Sequence, residues 1–130
     1  MKLFNRALIL LCVVICLLFL IGIFLYMLNQ KESGHSAFDS FIWKNEKLAQ
    51  SPDYPRIRMV DDLLARYPLV GMFKGQIDEL LGVPPQTEYF KNYDYVYWLG
   101  PERGFMGIDS EWLCIKFEVG KVQEFRILTD

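Results

Sequence analysis

The residues best suited to chemistry crowd into one stretch, Leu99 to Phe117, LGPERGFMGIDSEWLCIKF, where five charged side chains and three glycines separate two strand-like apolar runs. Glu102 with Asp109 or Glu111 has the composition of an acid and a base, and a small envelope hydrolase is the enzyme such a pair would make. That chemistry needs a substrate pocket and a shifted pKa. Arg103 beside the same carboxylates could instead fasten the loop, with Ser110 bonding backbone amides and Phe105, Met106 and Ile108 covering a sheet end. A third reading makes Glu102, Arg103, Asp109 and Glu111 a polar rim around Phe105 and Trp112, a composition suited to contact with a protein or peptide. Twelve residues lie between Leu99 and Trp112, against about two to five in an ordinary hairpin connection. Such a loop is fastened, mobile or functional.

The rest of the reactive inventory is sparse. His35 is the only histidine and sits in the polar run NQKESGHS, which reads as a solvated tether. Ser-His and Cys-His nucleophile systems are thereby removed from the part that follows. Asp61 and Asp62 adjoin, but neighbours on a helix diverge by about 100°, so they read as a solvated face and not as metal ligands. No Asp-x-Asp-x-Asp-Gly spacing marks a calcium loop. Two of the three cysteines, Cys12 and Cys16, lie in the leading apolar run, which leaves Cys114 alone in a strand-like run as a small buried residue. Neither a metal nor a cofactor is called for.

These residues must be positioned by a small domain preceded by a segment of different chemistry. Ala7 to Leu28 holds 22 residues without a formal charge, 16 of them Leu, Ile, Val or Phe. Inserting such a run as a helix gains about 5 to 10 kcal/mol before positional discounts. At about 1.5 Å per residue it is long enough to cross a hydrocarbon core. Lys2 and Arg6 on the short leading side orient it with the N-terminus in the cytoplasm and the rest outside. An uncleaved anchor in a bacterial cytoplasmic membrane is the leading reading. A removed signal is the alternative, with Gly34-His35-Ser36 before Ala37 as its only tolerable site. A lipidated form would need a small residue before its cysteine, whereas Leu11 and Ile15 stand there.

Residues 31–130 carry 12 basic and 16 acidic side chains, a formal charge of −4 with the signs interspersed. That is not a nucleic-acid-binding surface. The expected organisation is a membrane anchor over 1–30, a tether and aromatic segment over 31–54, and a domain over 55–130. FDSFIWKNEKLAQ fits a short amphipathic helix or an edge strand, its aromatics packing on the domain or touching the membrane surface. Ile57, Val60, Leu64 and Tyr67 predict a helix ending before Pro68. Lys74 to Leu81 reads as a second helix, with Ile77, Leu80 and Leu81 inward and Gly82 and Pro84 stopping it. Its start is weak, because Phe73 stands where a capping side chain belongs.

Strand patterns follow. YDYVYWLG is largely apolar on both faces, and in WLCIKFEVG Leu113, Ile115, Phe117 and Val119 face one way. Gly120-Lys121 is the expected turn into VQEFRIL. The fold class is α+β: two short helices packed on one face of an antiparallel sheet of about three to four strands. On the other face Val96, Trp98, Trp112 and Cys114 form an apolar patch, a surface for contact or self-association if nothing covers it.

GMFKGQIDELLGVP followed by a sheet ending in FEVGKVQEFRI resembles the domain shared by the SmpA/OmlA outer-membrane assembly lipoproteins and the β-lactamase inhibitor protein. The resemblance spans about 60 residues and implies the same helices-then-sheet layout. It departs where Phe73 replaces the usual Thr or Ser, and where the lipid-bearing Cys is missing. FDSFIWK, RMVDDLL, LLGVP, LGPERG and IDSEWL together resemble a group of small bacterial exported proteins and imply a similar extracytoplasmic domain. The combined expectation is a protein-binding module, serving envelope assembly or acting as an inhibitor or immunity factor.

Overall fold

The computed structural model describes the backbone of residues 2–32, 34–104 and 106–130, with side chains at residue 6, 9–26 and from 34 onward except 105. Phe105, one of the candidate contact residues, thus lies outside the described residues. The chain divides into two compact units, Met1–Gly34 and His35–Asp130.

The first unit is one helix, α1 (Lys2–Glu32). Its Ile9–Tyr26 segment is long and apolar enough to cross a bilayer, and none of it is buried in protein. The Ala7 to Leu28 span read from sequence contains this segment.

The second unit opens with two short helices, α2 (Ser40–Lys44) and α3 (Glu46–Ala49), where the sequence pattern left helix and strand undecided. Capping decides it. The Asp39 carboxylate accepts from the Phe41 and Ile42 amides, and the Asn45 side chain accepts from Lys47 and Leu48, satisfying donors a helix start leaves free. Trp43 is fully buried, and Phe38 packs tilted against it and edge-on to Tyr67. The aromatic segment therefore belongs to the core, and the compact unit starts at His35, earlier than the residue 55 boundary drawn from sequence. Phe41 alone of these aromatics stays exposed.

Helix α4 (Pro55–Arg66) starts with proline at a position that needs no amide donor. Its inward stripe is Arg56, Met59, Val60 and Leu63. The expected stripe was rotated, because a charged residue occupies the first core position; Ile57, Leu64 and Tyr67 pack only on its flanks. Helix α5 (Lys74–Leu81) has the expected bounds. Gln76 compensates for the missing cap by accepting the Phe73 N–H at 2.9 Å. Gly82 ends it at φ +71, and a Cβ there would fall 3.0 Å from Lys44 Cγ, so this end tolerates only glycine.

Three strands follow in the order β1 (Tyr95–Pro101), β2 (Ser110–Glu118) and β3 (Lys121–Thr129), all antiparallel. Bulges interrupt the register between Trp98 and Gly100 and between Lys116 and Phe117. The hairpin turn is Val119-Gly120, one residue earlier than read from sequence. Both residues have positive φ, +48 and +72, the type I′ geometry that matches strand twist. Val119 consequently points into solvent and is not part of the inward face of β2.

Helices α2, α4 and α5 and the strands share one core, in which Trp43, Met59, Leu63, Ile77 and Leu81 meet Tyr95, Tyr97, Leu99, Leu113 and Ile115. Each fully buried aliphatic side chain contributes about 1.5 to 3 kcal/mol. The opposite sheet face gathers Val96, Trp112 and Cys114, with Phe90, Tyr93, Trp98 and Leu128 packed against them. That face, open in the sequence reading, is partly roofed by the segment between α5 and β1.

Candidate functional site

The loop between β1 and β2 is fastened at its base. Pro101 pairs with Ser110 across the strands, and the Glu102 amide donates to the Asp109 carbonyl at 2.8 Å. Arg103 closes it further. Its backbone N–H donates to Glu111 Oε1 at 2.8 Å, its Nε lies 3.2 and 3.1 Å from the two carboxylate oxygens, and Nη2 lies 2.9 Å from Oε2. The remaining nitrogen, Nη1, donates to Asp61 Oδ2 of α4 at 2.9 Å. A fork of this kind is about twice as strong as neutral hydrogen bonds and fixes geometry as well. The Glu111 hydrogen bond first, then that of Asp61, holds the Arg103 guanidinium above its ordinary pKa against the opposing effect of burial.

This clamp rests on residues the sequence placed elsewhere. Asp61, read as a solvated face, bridges Arg103 and His35, whose Nε2 lies 2.9 Å from the same carboxylate oxygen. Its neighbour Asp62 accepts the Phe38 amide at 2.6 Å and Arg66 Nε at 3.1 Å. His35, read as part of a tether, opens the folded unit.

Of the six candidate contact residues, Arg103 and Glu111 come together as the clamp, Arg103 40% exposed and Glu111 9%. The Glu102 carboxylate lies against Gly104, and Asp109 is exposed. Trp112 faces the other side of the sheet. There its Nε1 donates to Asp130 Oδ2 at 3.1 Å and its ring lies 5.0 Å from that of Tyr89. Met106 and Ile108, expected to cover a sheet end, are 71% and 75% exposed. Both Glu111 oxygens are taken by Arg103.

A second polar cluster joins α5 to β1. Tyr95 OH donates to Asp78 Oδ1 and accepts from Lys74 Nζ, each at 2.5 Å, and Lys74 pairs with Asp78 at 3.0 Å. Bonds from Tyr95 and Asp78 raise the Lys74 pKa, and burial together with Asp78 raises that of Tyr95. Desolvation alone would raise Asp78, but hydrogen bonds from Tyr95 and Lys74 outweigh it and hold the carboxyl low. All three groups are driven away from neutral pH, the opposite of what a general base requires. The cluster is a brace. Burial likewise pushes the Cys114 thiol up to about 11, which makes it unreactive. Among the described residues no three metal-ligating side chains gather to hold an ion.

Arg56 is the side chain sequence reasoning missed most completely. Only 2% exposed, it donates to the Trp43 carbonyl from Nε at 2.9 Å and Nη2 at 2.7 Å, and pairs with Glu46 at 2.5 Å. A signal was present: cations are disfavoured in the first turn of a helix, so Arg56 there implies a partner from outside it. Comparison with family models, curated proteins and solved structures finds no match for the chain.

Proposed function

We propose that the chain is a single-pass protein of a bacterial cytoplasmic membrane, N-terminus inside, whose exported α+β unit binds another protein through the loop between β1 and β2. One observation carries this reading: Met106 and Ile108 stand out in solvent on a loop whose base is closed by Arg103, Glu111 and Asp61. Two apolar side chains held close together in solvent offer area that a partner can bury. A clamped base lowers the ordering entropy that binding would otherwise cost. The likeness to envelope-assembly lipoproteins and to an inhibitor protein belongs to the same proposal, as does a role in envelope assembly, inhibition or immunity.

The test is a photo-crosslinking residue placed at Ile108 of the full chain in native membranes, with Lys116 on β2 as the control position. A discrete protein adduct from 108, absent from 116 and lost in Arg103→Ala, is the expected result. Identical patterns from both positions, or none from either, would defeat the proposal.

A further inference from the structure

The roofed face of the sheet carries a groove that the loop reading does not use. Its cavity is about 560 Å³, within the usual range for small-ligand sites. Trp98 and Trp112 are directly opposed on β1 and β2 and both line it. Tyr54 meets Trp98 edge-on, 5.8 Å between ring centroids, and Tyr89 lies against Trp112. An aromatic row thus crosses the strands.

The charges of this groove decide what fits it. Among the described residues lining it, Glu46 and Arg56 alone are charged, and they neutralise each other at 2.5 Å. The groove therefore carries no net charge to attract a free ion. Its other polar side chains include the amides of Gln50 and Gln86 and the Thr87 hydroxyl, which can donate and accept without charge.

The aromatic wall is also held in place by costly backbone. Tyr54 sits at φ +43 and ψ +61, a conformation bulky residues avoid. Gly100, at φ +147, allows the close approach, since a Cβ there would lie 3.1 Å from Tyr54 Cβ. The β1 bulge falls between Trp98 and Gly100. The bulge and Gly100 thus seat Tyr54 close behind the strand that carries Trp98.

We propose that this groove binds an uncharged carbohydrate chain, pyranose faces against Tyr54 and Trp98 and hydroxyls on Gln50, Gln86, Thr87 and the exposed side of the Glu46 carboxylate. A sugar ring matches the lining because one face is apolar C–H and the edge is neutral donors and acceptors. The proposal stands on residues other than those of the loop.

The test uses the full chain in phosphatidylcholine nanodiscs, titrated with chitohexaose and with cellohexaose while tryptophan emission is followed. A saturable change with at least one of them is expected. Trp98→Ala should weaken it about tenfold, equivalent to about 1.4 kcal/mol, while Trp98→Phe keeps most of it. Gln86→Ala, at an exposed rim position, should weaken binding without touching the core, so a misfolded Trp98→Ala would not spoil the test. No saturable change with either sugar overturns the proposal. So does a change unaffected by Trp98→Ala and Gln86→Ala, or selective binding of an uncharged aromatic peptide in place of both sugars.

Discussion

Two arginine–glutamate pairs with one buried member each hold the globular unit, and one is the other turned inside out. In the first, Arg56 is 2% exposed and its partner Glu46 is 42% exposed. In the second, Arg103 is 40% exposed and Glu111 is 9% exposed. Each buried member has further support: Arg56 has the Trp43 carbonyl, and Glu111 has the Arg103 amide. What differs is what each buried charge ties down. Arg56 links α2, α3 and α4 around the core, whereas Glu111 holds only the base of a loop. The same pair chemistry therefore braces the fold in one place and presents a surface in the other.

Removing the exposed member of each pair strands a buried charge, and the comparison predicts unequal costs. Glu46→Ala should destabilise the unit most, by about 3 kcal/mol in chemical denaturation, because Arg56 is left among aromatic rings without its counter-charge. Cys114 tests the same rule by titration, since a thiolate formed there has no partner. Its folded pKa, about 11, is raised above the unfolded value of 9.0. The stabilisation is therefore complete below pH 9 and is lost as pH rises through 11. The loss, about 2 to 3 kcal/mol, should be missing from the pH profile of Cys114→Ala.

Arg103→Ala should cost less than Glu46→Ala, about 2 kcal/mol, because Glu111 keeps the backbone amide at residue 103. Hydrogen exchange at the Glu102 amide should accelerate while the amides of α4 stay protected. Equal costs for the two substitutions, or loss of protection throughout, would mean that the pairs do not divide between fold and loop. The smallest effect is expected far from both. Val119→Asn places a residue suited to positive φ in the hairpin turn and should raise stability by about 1 kcal/mol. A larger gain, or loosening of either pair, would show that the turn is coupled to them.

Some of this was open to reading from the chain alone. The apolar span, the bounds of α5 and the alternation of β1 and β2 depend on neighbours a few residues apart. Gly82 and Pro84 stop α5 wherever it is placed. The helical reading of 40–49 was within reach too, through Asp39 and Asn45 as caps, but aromatic clustering obscured it. The candidate site was harder. Composition marked the loop between Leu99 and Trp112 and the possible Arg103 to Glu111 contact, yet alternation alone should have set Trp112 on the opposite face from Glu111. Nothing local pointed from Arg103 to Asp61, 42 residues away.

The amino-acid order by itself determined a greasy leading helix, an α+β unit and a long charged loop, since these follow from hydropathy, period and turn chemistry over short distances. Only the tertiary structure decided that Asp61 completes the loop clamp, that Arg56 enters the core, and that Tyr54 and Trp98 wall a groove. The reason is physical. Charge pairing and ring packing act through space over a few ångströms, and the folded chain alone brings those partners within reach.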